Sequence, residues 1–202
     1  MYLSQLILDR INRQIMKDLS DIYRLHQLIM FGFSEYNQPE RILFRVEPET
    51  REQTVRILVQ SQVKPTWEAK GYMQNGIGAV ETKEIDFHIQ PGSLYRFRLR
   101  ANPVVTRKGK RYGLIRDEAL IDWLQKKESN IGASFTSILP IDEGYITGDK
   151  PKVGRTDRIN IKIARFEGML KVNDPPSFNE ALKDGIGSAK AFGCGLLSLA
   201  KA

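Results

Sequence analysis

The sequence predicts an α+β protein built as two tandem ferredoxin-like (RRM-like) βαββαβ halves with antiparallel sheets, residues 1–101 and 102–202. Three observations predict it. Short runs alternate apolar and polar residues, as half-buried strands do, most clearly in Leu94–Ala101. Each half carries an amphipathic helix. The order of elements approximates βαββαβ in both halves, although they share no clear sequence repeat.

In the first half, Tyr2–Leu8 reads as a strand and the polar stretch Asp9–Asp18 as a connection. Ser20 is the expected N-cap of a helix through about Met30, with Ile22, Leu25, Leu28 and Ile29 on one face. Gly32 and the segment after it stop that helix. Arg41–Glu47 and Thr54–Ser61 are strand-like, and Pro65–Gly78 is irregular or weakly helical. Glu84–Ile89 alternates as a strand does, Pro91-Gly92 marks a turn, and Leu94–Ala101 closes the half. In the second half, Asp117–Lys127 is an amphipathic helix. Phe135–Ile141, Tyr145–Thr147, Ile159–Phe166 and Met169–Val172 are expected strands. Ser177 is the expected cap of a short helix to Lys183, and Leu196–Leu199 is the last strand.

Composition narrows the function. With 31 Lys and Arg against 24 Asp and Glu, the net charge is +7 and the pI about 9.5, which favours polyanionic partners. The longest apolar stretches, such as Leu28–Phe31, are far too short to span a bilayer. The N-terminus shows no secretory pattern, so a cytoplasmic location without membrane association is expected. Cys194 is the one cysteine, the two histidines lie far apart, and the carboxylates are scattered. No metal site and no cofactor motif is therefore expected.

Three groups of residues can carry chemistry. Tyr23 and His26, three apart, are neighbours on the flank of the first helix. An imidazole titrates near neutrality and can give or take a proton, and a phenol can orient a nucleophile. The same pair also fits a histidine and tyrosine simply packed at a helix boundary. The run Gly185-Ile-Gly187-Ser-Ala-Lys190-Ala-Phe-Gly193-Cys-Gly195 is neither a P-loop nor a dinucleotide fingerprint. Its glycines allow close backbone approach to phosphates and Lys190 adds charge, or they make tight turns before the last strand. Lys150, Lys152, Arg155 and Arg158, interleaved with glycine and proline, form a basic stretch suited to an RNA groove, or a solvated loop. Arg96, Arg98 and Arg100 share one strand face, and Arg107, Lys108, Lys110 and Arg111 extend the basic character into a loop. His88, beside Glu84 and Asp86, reads as a surface imidazole.

Five segments stand out together: Met1-Tyr-Leu-Ser4, Tyr23-Arg-Leu-His26, Tyr95-Arg-Phe-Arg-Leu-Arg-Ala-Asn-Pro103, Phe166-Glu-Gly168 and Gly185 to Ser198. In combination they resemble the CasE family, the CRISPR RNA-processing endoribonucleases of type I-E systems. The resemblance implies cleavage beside the stem-loop of each CRISPR repeat by attack of a 2′-hydroxyl on the adjacent phosphate. It implies 2′,3′-cyclic phosphate and 5′-hydroxyl ends, retention of the product, and assembly with other Cascade subunits. His26 and Tyr23 fall on the family's catalytic histidine and tyrosine, Gly185–Gly195 on its glycine-rich loop, and Lys150–Arg158 on the region that contacts the stem. Some members carry a lysine shortly after the histidine, where this chain has Phe31. RNA carries its own nucleophile, so a chain poor in metal ligands with one placed histidine suits this reaction. The rival reading is a non-catalytic RNA-binding subunit of a ribonucleoprotein complex, which would present aromatic residues for base stacking.

Overall fold

A computed structural model describes residues 1–36, 41–48, 53–67 and 77–202. The chain forms two compact units. The first contains Met1–Asp86, Ile146–Asn160 and Ala191–Gly193, and the second contains Phe87–Tyr145, Ile161–Lys190 and Cys194–Ala202.

In the first unit the elements run β1 (Tyr2–Asp9), α1 (Arg13–Ser20), α2 (Ile22–Phe31), β2 (Leu43–Val46), β3 (Thr54–Ser61) and β4 (Ile77–Glu84). The sheet order is β2-β3-β1-β4, and the β1 pairings to β3 and β4 are antiparallel, with Leu6 opposite both Ile57 and Val80. Alternation along β1 sends Ser4, Leu6 and Leu8 inward. The apolar stripe of α2 lies in the same core, joined by Phe33, Phe44 and Trp67. The polar stretch after β1 is a helix rather than a connection. Asn12 caps α1 by accepting from Gln14 N and Ile15 N, and Ile15 buries against the core. Ser20 is accordingly the last residue of α1, and Asp21 is the N-cap of α2. Of the expected weak helix Pro65–Gly78, residues 68–76 lie outside the described residues.

The second unit contains β5 (Leu94–Ala101), β6 (Val104–Arg107), β7 (Lys110–Gly113), α3 (Asp117–Gln125), α4 (Glu128–Ile131) and α5 (Pro175–Asp184), with β10 (Leu197–Lys201) last. Between α4 and α5 run two long strands, β8 (Ala133–Lys152) and β9 (Arg155–Val172). The sheet order is β10-β5-β9-β8. Leaving out the β6–β7 hairpin and short α4, this is β5-α3-β8-β9-α5-β10, the βαββαβ order. Phe97, Leu99, Leu120, Leu124, Phe166, Phe178 and Leu182 build its core.

The division at 101/102 is corrected. β5 pairs with β9 and β10, so Leu94–Ala101 opens the second unit instead of closing the first. The fourth strand of the first sheet is β4, ending at Glu84. Residues 85–90 alternate without pairing as a strand, and Phe87 and Ile89 pack against the second core. The four short strands expected between Phe135 and Val172 are two long ones. Residues 146–160 around their shared turn belong to the first unit, where Ile146 and Ile159 pack on its core. Ser177 lies inside α5, whose N-cap is Asp174 with Pro175 at the first helical position. Among the described residues no helix is long and apolar enough to cross a membrane.

Candidate functional site

The site is built on the first turn of α2. An Oδ1 of Asp21 accepts from Tyr23 N at 2.8 Å and Arg24 N at 3.1 Å, satisfying two of the helix's orphan donors. Ile22, Leu25, Leu28 and Ile29 fix the roll of the helix by burial. Tyr23 and His26, on the flank of that stripe, are left half-buried.

The second oxygen of Asp21 accepts from Asp149 N at 3.1 Å, which ties the β8 strand to the helix start. Gly148 allows this approach. A Cβ there would stand 2.7 Å from Asp21 Oδ1 and 2.8 Å from Tyr23 N. Lys150, two residues further along, has its Nζ 6.0 Å from the centroid of the Tyr23 ring. The segment Ala191–Gly193 also lies beside the imidazole. Phe192 meets the His26 ring edge-on at 5.9 Å between centroids, and the imidazole hydrogen-bonds to the backbone of Ala191. Burial pushes the His26 pKa below the usual histidine value; the Ala191 bond opposes that, and the Lys150 cation adds to it. A depression of about 1030 Å³ adjoins Tyr23 and is lined by Gln27, Phe31, Ser34, Asp149 and Thr156 among others.

Other candidate residues lie in different settings. Lys152 and Arg155 both pair with Asp157, the latter at 3.2 Å, and Arg158 is exposed on the same hairpin. In the second unit Arg96 is exposed, but Arg98 is paired with Glu167 at 2.8 Å and Arg100 with Glu143 at 2.7 Å. Arg165 bridges the same two carboxylates, so the arginine face is largely an internal ion lattice. Arg107, Lys110 and Arg111 sit on the strands of the β6–β7 hairpin, and Lys108 in the turn between them. Gly185, Gly187, Gly193 and Gly195 all have positive φ, as tight turns require. At Gly195 a Cβ would in addition press within 3.2 Å of Ile186 O. Gly185, Gly187 and half-buried Lys190 line a second depression, of about 580 Å³, with Asn102, Arg111 and Ser188. Arg111 Nη2 donates to Ser188 Oγ at 3.0 Å. The glycine run is thus divided: residues 191–193 lie in the first unit beside His26, and the rest in the second. His88 is exposed. Burial pushes the Cys194 thiol up to about 12, which keeps it protonated and inert at neutral pH.

The structure therefore brings Tyr23, His26 and Lys150 together and joins them to Phe192. Lys152, Arg155 and Arg158 lie further along the hairpin, and Arg96, Arg98, Arg100 and most of the glycine run lie in the other unit. Asp21 and Gly148 are the parts that motif reading missed. Asp21 carried a signal, since Asp is as strong a cap as the serine beside it. Gly148 carried none, because its role depends on a contact 127 positions away in sequence, at Asp21. Among the described residues no group of three His, Cys, Asp or Glu is placed to hold a metal ion.

Two sheets of ferredoxin-like strand order, the first unit carrying a paired histidine and tyrosine beside a lysine, define a tandem ferredoxin-like protein with a candidate acid–base site. A family model described as CRISPR associated protein matches residues 1–201. The chain is 35% identical to the CRISPR system Cascade subunit CasE of Escherichia coli K12, over 99% of both chains. It is 29% identical to the CRISPR-associated endoribonuclease Cse3 of Thermus thermophilus, over 99% of this chain and 100% of that one. The solved structure of Thermus thermophilus Cse3 bound to an RNA representing a pre-cleavage complex superposes with a TM-score of 0.84, at 28% identity and 98% coverage of each chain. The chain belongs to the CasE family of CRISPR-associated proteins.

Proposed function

We propose that this chain is an endoribonuclease that cleaves CRISPR precursor RNA beside the repeat stem-loop, without a metal, and keeps the mature guide RNA within a Cascade assembly. The observation that carries the reading is the His26–Tyr23 pair, half-buried and flanked by a cation. The relatives named CasE and Cse3 supply the substrate class and the partners.

In this mechanism the 2′-oxygen upstream of the cut bonds to the adjacent phosphorus and the bond from phosphorus to the 5′-oxygen breaks. The 2′-hydroxyl loses a proton and the 5′-oxygen gains one. His26 and Tyr23 divide these two transfers, and the products are a 2′,3′-cyclic phosphate and a 5′-hydroxyl. With one ring nitrogen of His26 tied to Ala191, the ring is oriented and its other nitrogen serves the reaction. Lys152, Arg155, Arg158 and Arg96 hold phosphates of the stem. The glycine run and Lys190 line the RNA path, while Arg98 and Arg100 must exchange a carboxylate for a phosphate to take part.

The test is cleavage of repeat RNA in excess EDTA, with and without a single 2′-deoxy substitution at the cut. The expected result is unimpaired cleavage in chelator, none of the deoxy RNA, and near-equal binding of both. A metal-activated water would give the reverse pattern. Mass spectrometry of the upstream fragment should show an end lighter by one water than a linear monophosphate.

A further inference from the structure

We propose that Lys150 is a third catalytic residue, its ammonium group neutralising a non-bridging oxygen of the scissile phosphate, and that Asp21 is the positioning residue that holds it there. The inference rests on the endoribonuclease reading above and assigns Lys150 a role beyond holding the stem.

Four observations carry it. First, Lys150 is the cation at the reacting pair: its Nζ lies 6.0 Å from the Tyr23 ring centroid, and its charge is felt at His26. Second, it has no carboxylate within ion-pair range among the described residues. The neighbouring cations do: Arg24 pairs with Asp18 at 3.9 Å, and Lys152 and Arg155 pair with Asp157. Third, its backbone is fixed. The bond from Asp149 N to Asp21 Oδ2 immediately precedes it, and Gly148 closes against the Tyr23 amide. One carboxylate thus sets the helix that carries Tyr23 and His26 and the strand that carries Lys150. Fourth, Phe31, later on the same helix, brings no charge to the site.

The chemistry needs such a group. As the 2′-oxygen bonds to phosphorus, negative charge builds on the two non-bridging oxygens before the 5′-oxygen leaves. His26 and Tyr23 move protons and cannot also neutralise that charge. A lysine that keeps its proton throughout does so, and the balance of atoms and protons in the step is unchanged.

The experiment compares single-turnover cleavage of repeat RNA at saturating protein, together with RNA affinity, for the wild type, Lys150→Gln, Lys150→Arg and His26→Ala. Lys150 is exposed, so neither replacement burdens the fold. The expected result is a plateau rate about 10²–10³-fold lower for Lys150→Gln, as for loss of one charge-stabilising donor, with most of the rate restored by Lys150→Arg. A wild-type plateau for Lys150→Gln, with only its affinity reduced, would overturn the proposal and leave Lys150 a stem contact. Failure of the broader reading looks different: there His26→Ala cleaves at the wild-type rate, or the wild type leaves the RNA intact.

Discussion

Replacing Asp21 by Asn separates two functions that one carboxylate performs. Asn caps a helix as well as Asp does, so its amide oxygen can keep the bonds to Tyr23 N and Arg24 N. Its NH2 group then faces the Asp149 N–H, donor against donor, and the bond to the β8 strand is lost. That exposed bond is worth about 0.5–1.5 kcal/mol, and a chain of this size shifts its Tm by about 2–4 °C per kcal/mol. Asp21→Asn should therefore melt about 1–6 °C lower. Asp21→Ala should lose the cap as well, a further ~1 kcal/mol. Cleavage should suffer more than stability, because a displacement of about 1 Å at a reacting centre can cost up to ~10²-fold. Thermal melts and single-turnover cleavage of repeat RNA measure the two effects side by side. An Asp21→Asn protein with wild-type Tm and wild-type rate would refute the idea that this carboxylate fixes the strand to the helix.

Three further outcomes are expected. His26→Ala should slow cleavage by about 10²–10⁴-fold while gel-shift affinity survives, and Tyr23→Phe should do less damage because it removes only the hydroxyl. Changing Lys150, Lys152, Arg155 and Arg158 together to Ala should flatten the dependence of log affinity on log salt by about 0.7–0.9 per lost phosphate contact; an unchanged slope would move the stem contacts to Arg96 and the β6–β7 hairpin. In an NMR titration the His26 signal, assigned by its disappearance in His26→Ala, should titrate below the usual ~6.5, and Lys150→Gln should raise it by removing a repelling cation. The sign for stability follows. The unfolded chain holds the His26 proton more tightly than the folded one, so this contribution is intact above about pH 6.5 and declines as pH falls toward the folded pKa.

The fold was legible where local pattern and tertiary environment agree. β3, β5, α2 and α3 each follow an apolar period set by one buried face, and that period survives in the sequence. α1 was not legible, since in eight residues it buries only Ile15 and Asp18, too few to set a period. The error at 101/102 has another cause. Alternation identifies Leu94–Ala101 as a strand but says nothing of its partners, and pairing to Phe166 and Leu197 is a property of the whole chain. The strands β8 and β9 were broken into pieces for a related reason. Their distal parts leave the second core and pack on the first, so the facing environment changes partway along and the apolar rhythm changes with it.

At the site, the reactive groups were legible and their arrangement was not. His26 and Tyr23 stand out because the chain has few imidazoles and these two residues are a helical turn apart. Their proximity to Lys150 could not be inferred, since it depends on a hairpin that returns after more than a hundred residues. What makes that return specific is small: a carboxylate with two oxygens and a glycine with no Cβ. The basic stretch, read as one segment suited to an RNA groove or as a solvated loop, is divided in the same way. Asp157 takes Lys152 and Arg155 at the exposed end of the hairpin, while Lys150, four residues before the turn at Gly154, has no ion pair among the described residues and is set against Tyr23. Charges of the same sign on one short segment can thus serve different ends. Cations that are paired and exposed can trade a carboxylate for a phosphate at little net cost, which suits reversible holding of a stem. A cation fixed by its backbone beside an acid–base pair has little rearrangement to make when charge develops, which suits the chemical step.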